Sequence, residues 1–187
     1  MPEADAALVA RALAGDADAF EALLRRHHRA AYAVALAFTR EPADADDVCQ
    51  DAFVRAYERL ADCREPERFA AWLAQIVRNR ARNRLAYLRL RRALPLADVE
   101  HRPGGGASPA ADAERWELRR ALLAALGKLP AVQREVVLLH DLEGWKHAEI
   151  AALVGCSEVM SRRHLSDARR VLRGLLGDRF RRDDDDG

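Results

Sequence analysis

Residues 144–176 read GWKHAEIAALVGCSEVMSRRHLSDARRVLRGLL. A short helical pattern, His147 to Val154, runs into the turn Gly155-Cys156-Ser157, and a longer helical pattern opens at Ser157. The second pattern carries Arg162, Arg163, Arg169, Arg170 and Arg173. Two helices joined by a three-residue turn, the second one basic, have the layout of a helix-turn-helix that enters the DNA major groove. Turning ~100° per residue from Leu165 puts Ser161, Ala168 and Leu172 on the buried face. Val159, Met160, Arg163, Asp167 and Arg170 fall opposite, with Arg162, Ser166 and Arg173 on the flanks. Ser157 is placed to cap the helix, and a helix N-terminus in a groove also offers amides to phosphate. Arg163 and Arg170 are the candidates for guanine edges or phosphates. Val159 and Met160 either meet thymine methyl groups or pack on a neighbouring helix or protein partner. Asp167 would repel phosphate, but it lies within helical reach of Arg163 and Arg170 and can hold them.

The rest of the chain reads as all-α, because no alternating strand pattern of useful length occurs. Helices are expected over Ala4 to Ala14, Ala17 to Thr39 with Asp16 as cap, and Pro42 to Leu60, where Asp44 and Asp47 resemble an acidic capping box. A turn at Cys63 to Glu67 precedes a helix from Glu67 to Leu90. Its stripe of Phe69, Trp72, Leu73, Ile76 and Val77 faces inward, Trp72 included. Residues 94–112 hold HRPGGGASPAAD, a composition that packs poorly and reads as a flexible linker. Beyond it, helices are expected at Ala113 to Leu126, Pro130 to Leu142, Lys146 to Val154 and Glu158 to Leu176, with Trp116 and Trp145 as core anchors. The expected organisation is two small helical domains, residues 1–92 and 113–178, with a linker at 93–112 and a disordered charged tail at 179–187.

The net charge of +1 conceals strong segregation. Residues 1–24 carry five acids against one arginine, and residues 41–51 carry five acids and no base. Residues 64–92 carry nine arginines against two glutamates, and residues 158–173 five arginines against two acids. Two basic blocks suit a protein that touches a phosphate backbone in two places. In the first block, Arg78 and Arg82 share a helix face, as do Asn79 and Asn83, with Arg84 beside them. Arginines can hold a strand backbone while asparagine amides read a base edge.

Other chemistries are not supported. The cysteines Cys49, Cys63 and Cys156 are scattered without a CxxC, which suits free thiols in a reducing compartment. Buried, inert thiols are a better reading than oxidant sensors. The histidines His27, His28, His101, His140, His147 and His164 show no ligand spacing, and no Walker loop, GxSxG or GxGxxG occurs. The acids Asp44, Asp46 and Asp47 lack the phosphate-binding glycine loop that would accompany a magnesium site. The expectation is a soluble cytoplasmic protein that is not an enzyme and holds no cofactor or metal.

Taken together, these features resemble the extracytoplasmic-function (ECF) sigma factors, the two-domain initiation subunits of bacterial RNA polymerase. The resemblance runs from about Asp16 to Leu176. Leu129-Pro130, Arg134-Glu135, Gly144, Glu149-Ile150-Ala151, Gly155-Cys156-Ser157 and Ala168-Arg169 match the family's fourth region. DADDVCQDAFVRAYERL and FAAWLAQIVRNRARNRL are similar to the polymerase-docking and promoter-melting helices of its second region. The resemblance implies that Asp46, Asp47, Gln50 and Asp51, with Asp44, face the polymerase clamp, and that Phe53 and Arg55 extend this contact. It implies that Arg78, Asn79, Arg82, Asn83 and Arg84 serve the −10 element, with a base flipped into a pocket near Ala61 to Arg68. It implies that Leu118 to Leu142 grip the polymerase flap and that Ser157, Val159, Met160, Arg162, Arg163, Ser166 and Arg170 meet the −35 element. An anti-sigma factor is the implied regulator. The chain departs from the family at Val159-Met160, where glycine-threonine is usual. It also departs at Arg163, Asp167 and Asn83, so the promoter sequence does not carry over. The competing readings are a conventional helix-turn-helix regulator acting without polymerase docking, and a helical adaptor with no DNA role.

Overall fold

A computed structural model describes residues 3–93 and 111–177. Residues 94–110 of the expected linker and the whole tail lie outside the described residues, as does the side chain of Trp116, whereas the linker's expected ends, Ala93, Ala111 and Asp112, are helical. Among the described residues every regular element is helical. The first half comprises α1 (Asp5–Leu13), α2 (Ala17–Thr39), α3 (Pro42–Glu58), two short 3₁₀ turns at Leu60–Asp62 and Pro66–Arg68, and α4 (Phe69–Ala93). The second comprises α5 (Ala111–Lys128), α6 (Ala131–Val137) with a π turn over Leu138–Leu142, α7 (His147–Val154) and α8 (Glu158–Leu176).

The caps show why these boundaries arise. Asp16 accepts from the Ala19 amide at 3.2 Å and starts α2. The expected acidic capping box of α3 does not form. Pro42 fixes the first helical residue, so the cap falls on Glu41, which makes no side-chain bond. Asp44 instead takes two bonds from Arg84, at 2.8 and 3.2 Å, and so joins α3 to α4. A cation forty residues away offers Asp44 a charge-assisted partner, a stronger contact than a local amide.

α2 is the central element. Ala30, Ala31, Ala33, Val34, Ala35, Ala37 and Phe38 are all buried, so its second half is covered nearly all round. Such a helix needs neighbours on several sides, and α2 packs on α1, α3 and α4 and also on α6 and the π turn. Its alanines let those backbones approach closely. One continuous core therefore runs from Val9, Leu23, Val34 and Phe69 through to Leu129, Val136, Leu139 and Ile150 of the second half.

Two consecutive charged residues lie inside this core. Arg134 is 1% exposed and Glu135 0%. Arg134 donates from Nε to Leu126 O and from Nη2 to Leu129 O, both at 2.7 Å, and from Nη1 to Ala37 O. Burial and the nearby Arg40 lower its pKa to about 10, so it stays charged at neutral pH. Burial pushes the Glu135 carboxyl up to about 7, against the opposing pull of Arg78 and Arg82. The folded protein therefore holds a proton that the unfolded chain releases near pH 4.5. Stability from this group is full below that value and declines as pH rises to about 7. We expect Glu135→Gln to remove this decline. Urea denaturation at pH 5.5 and 7.5, on both proteins, checks it: the wild-type midpoint should fall relative to the variant's as pH rises.

Candidate nucleic-acid and polymerase-binding surfaces

The helix-turn-helix is built as its sequence demands. α7 opens with a one-sided cap, in which the Glu149 carboxylate accepts from the Lys146 amide at 2.8 Å. It closes on Gly155 at φ +78°, the left-handed conformation that lets the chain turn into α8. A Cβ there would meet nothing within 4 Å, so alanine would be opposed by backbone strain alone. Gly155→Ala should cost about 1 kcal/mol, read as a shift in the denaturation midpoint with helicity kept. Ser157 starts α8, its hydroxyl accepting from the Met160 amide at 3.2 Å.

α8 turns Ser161, Leu165 and Ala168 inward. Val159 is 71% exposed and Met160 39%, so Val159 stands clear of the neighbouring helices and Met160 keeps part of its side chain in solvent. Arg162, Arg163, Ser166 and Arg170 are exposed as well. Asp167 forms a fork, its Oδ1 2.7 Å from Arg170 and its Oδ2 4.0 Å from Arg163. Arg162 pairs with Glu158 at 3.0 Å. On the flank, Arg169 holds Asp141 with two bonds, at 2.7 and 3.0 Å.

The approach to this helix carries groups that the sequence pattern gave no reason to join. His140 and His147 stack with ring centroids 4.6 Å apart, and His147 Nδ1 lies 2.9 Å from Ser161 Oγ. Together with Lys146, Glu158 and Arg162 they line an open cleft of about 440 Å³. Burial, then His140 and Arg162, depress the His147 pKa.

In the first half, Asp46, Asp47, Gln50 and Asp51 are all exposed on α3. Their i, i+4 spacing puts 46 with 50 and 47 with 51 on one acidic surface. Phe53 is half-buried, tilted against His28 at 5.7 Å, and Arg55 is exposed and pairs with Glu58 at 3.0 Å.

The basic helix α4 divides its residues. Asn79, Arg82 and Asn83 are exposed, with Arg82 resting over the Phe38 ring at 5.8 Å. Arg84 is partly covered and tied to Asp44. Arg78, expected to share an open face with Arg82, is 6% exposed. It points into the second half, where its Nη1 donates to Leu153 O at 2.8 Å. At the start of α4, Asp62, Cys63, Arg64, Glu65, Arg68, Ala71 and Trp72 line an open pocket of about 240 Å³. Trp72 belongs to both core and pocket: it packs on Phe69 at 5.6 Å while lining the opening.

Cys49 and Cys63 are buried, and burial pushes both thiols up, Cys49 to about 12. These are inert thiols at neutral pH. Cys156 is half-buried. Among the described residues, no helix is long and apolar enough to cross a membrane.

Comparison with known families places both halves. Residues 23–92 match Sigma-70 region 2, and residues 119–172 match Sigma-70, region 4. The chain is 35% identical over 174 residues to the ECF RNA polymerase sigma factor SigM of Mycobacterium tuberculosis, covering 92% of this chain and 85% of that protein. It is 37% identical over 175 residues to a probable RNA polymerase sigma factor, RfaY, of Xanthomonas campestris; this spans 90% of the chain but 43% of that longer protein. Among solved structures it is similar to CnrH in complex with the cytosolic domain of CnrY, with a TM-score of 0.69, 34% identity, and coverage of 93% of this chain and 97% of that one. This chain belongs to the sigma-70 family of RNA polymerase sigma factors, in its ECF group. A conventional helix-turn-helix regulator would leave residues 23–92 unexplained, whereas a sigma factor accounts for both halves.

Proposed function

We propose that this chain works in the cytoplasm as an alternative sigma factor, binding core RNA polymerase and directing initiation at promoters with −10 and −35 elements. The observation that carries the reading is the pairing of an acidic docking surface on α3 with a basic, exposed helix-turn-helix on α8 in a chain that matches both sigma-70 regions. Asp46, Asp47, Gln50 and Asp51 meet a basic clamp surface, with Phe53 and Arg55 at its edge, and charge complementarity sets docking rate and register. The exposed Leu118, midway along α5, and Leu142, at the end of the π turn, give the flap an apolar grip.

On DNA, α8 enters the −35 major groove. Ser157 and the first amides of the helix face the backbone, while Arg163 and Arg170 reach base edges from either side of Asp167. Val159 and Met160 offer apolar contact to thymine methyls. Arg162 and Ser166 lie at the groove walls. For the −10 element, Asn79 and Asn83 read base edges while Arg82 and Arg84 hold the strand. The pocket beside Trp72 sits where the flipped base of the family pattern is expected, and its aromatic wall and polar rim suit a planar base. Sigma factors are not enzymes, and the polymerase performs the chemistry. Residues 1–92 and 113–178 are proposed as the two functional domains. One related structure holds the sigma factor RpoE of Bartonella quintana together with the anti-sigma factor NepR, and a partner of that kind is proposed as the regulator here.

Co-migration with purified core polymerase in size-exclusion chromatography tests the docking half of the proposal. Asp47→Lys/Asp51→Lys should weaken the complex at least tenfold, because two attractive contacts become repulsive. Undiminished binding would remove α3 from the interface.

A further inference from the structure

His140 and His147 come from the π turn and from α7, and their rings stack with centroids 4.6 Å apart. Each ring is held through Nδ1. His147 Nδ1 lies 2.9 Å from the hydroxyl of Ser161, a fully buried residue. His140 Nδ1 lies 2.8 Å from Asp141 Oδ1, and Arg169 fixes that carboxylate with two bonds. An ionised carboxylate only accepts, so His140 Nδ1 carries the hydrogen. In the neutral ring Nε2 is then a bare lone pair, and it becomes a donor only when the ring takes a second proton. Nε2 is left as the free nitrogen of each ring, and both rings line the cleft with Lys146 and Arg162.

The acids around the pair are engaged elsewhere. Glu158 lines the cleft but pairs with Arg162 at 3.0 Å. Asp141 is taken by Arg169, and Glu149 accepts from the Lys146 amide at 2.8 Å. Glu143, just past the π turn, faces Arg29 at 3.4 Å. Burial, then His140 and Arg162, hold the His147 ring below the ordinary histidine range, with Arg169 adding to the effect and Glu158 opposing it. His147 is therefore neutral in the free protein at pH 7.

We infer that this cleft receives a backbone phosphate of duplex DNA and that the stacked histidines take one proton from solvent as it does so, so that the second half grips DNA more tightly as pH falls. The inference rests on the reading that α8 enters the major groove. The first helix of a helix-turn-helix crosses the DNA backbone, and Lys146 and His147 open that helix, α7. Arg162 reaches the same cleft from the flank of α8. A phosphodiester there offsets the repulsion from Lys146 and Arg162 that opposes a proton on the rings. Its oxygens also need a donor at His140 Nε2, which the neutral ring lacks. Free phosphate would meet the same atoms, but a duplex is held along the whole of α8 as well. The pair therefore binds its proton more strongly in the complex than in the free chain. Affinity rises as pH falls through the bound-state pKa and levels off below the free-state one.

Fluorescence anisotropy of the full chain with a short mixed-sequence duplex, at low salt and at pH 8 and pH 6, reads the linkage. The wild type should bind about fivefold more tightly at pH 6, within the roughly hundredfold that one proton allows over two pH units. His140→Asn/His147→Asn keeps a polar group near the place of each Nδ1 and should lose most of this gain. If circular dichroism shows that the variant has lost helix, NMR titration of the wild-type histidine rings decides. The His147 signal should titrate about 0.7 of a pH unit higher with duplex than without, the pH equivalent of fivefold. Inorganic phosphate at the same concentration should move it far less. Equal duplex affinity at both pH values, an undiminished gain in the folded double variant, or a His147 titration unmoved by duplex overturns the proton linkage and leaves α8 in the groove. Equal movement with inorganic phosphate overturns the assignment to DNA. No duplex binding at either pH overturns the linkage and the groove reading together.

Discussion

Arg134→Ala is expected to lower the stability of the whole protein by about 4 kcal/mol, because a buried guanidinium bonded to carbonyls is worth far more than an exposed one. The three acceptors, Leu126 O, Leu129 O and Ala37 O, belong to two different helices and the loop between α5 and α6. Alanine leaves them buried without a donor and opens a void in the core. The corresponding fall in melting temperature is about 10 °C for a chain of this size. Lysine should recover only part of the loss, since one compact ammonium cannot serve three carbonyls arrayed around a planar fork. Chemical denaturation of the three proteins, followed by helix signal, measures both effects. Equal midpoints for wild type and alanine would show that Arg134 does not hold the fold.

The second large effect concerns recognition. Arg163→Ala/Arg170→Ala should weaken promoter-dependent initiation by about a hundredfold, with each arginine contributing about 1–3 kcal/mol if it reads a guanine. Stability should not move, since both side chains project into solvent. Asp167 provides the contrast. It holds both arginines from between, at 2.7 and 4.0 Å, so Asp167→Ala frees them and removes one negative charge from the groove face. Affinity for arbitrary duplex should rise while discrimination between promoters falls. Competition binding of the polymerase holoenzyme at several salt concentrations separates the terms, because phosphate contacts follow salt and base contacts do not.

Much of this arrangement was legible in the sequence because it is local. The bounds of α2 and α8, the caps at Asp16 and Ser157, and the inward face of Ser161, Leu165 and Ala168 all follow from helical period and cap chemistry over a few residues. Contacts between distant segments were not legible. Asp44 looked like a cap and proved to be a partner for Arg84. Arg78 and Arg82 share a helix face by spacing and both lie over Phe38, yet α7 covers Arg78 and leaves Arg82 open. Periodicity orders the faces of one helix and carries no information about which face a remote element will cover. Arg134 and Glu135 were visible as a motif, but their complete burial was not, because charged residues are seldom fully buried unless paired. The stacked His140 and His147 come from different elements and share no spacing rule. The signal that could have flagged the core pair was its setting: an Arg-Glu step directly ahead of the apolar run Val136 to Leu139.

The central claim is that both halves act on one promoter through one polymerase. Run-off transcription with purified core enzyme across a promoter library tests it most directly. The account predicts initiation at a defined subset of promoters only when the chain is added, abolished by Asp47→Lys/Asp51→Lys and redirected or lost with Arg163→Ala/Arg170→Ala. Initiation indifferent to the chain, or to changes in either half, would contradict it.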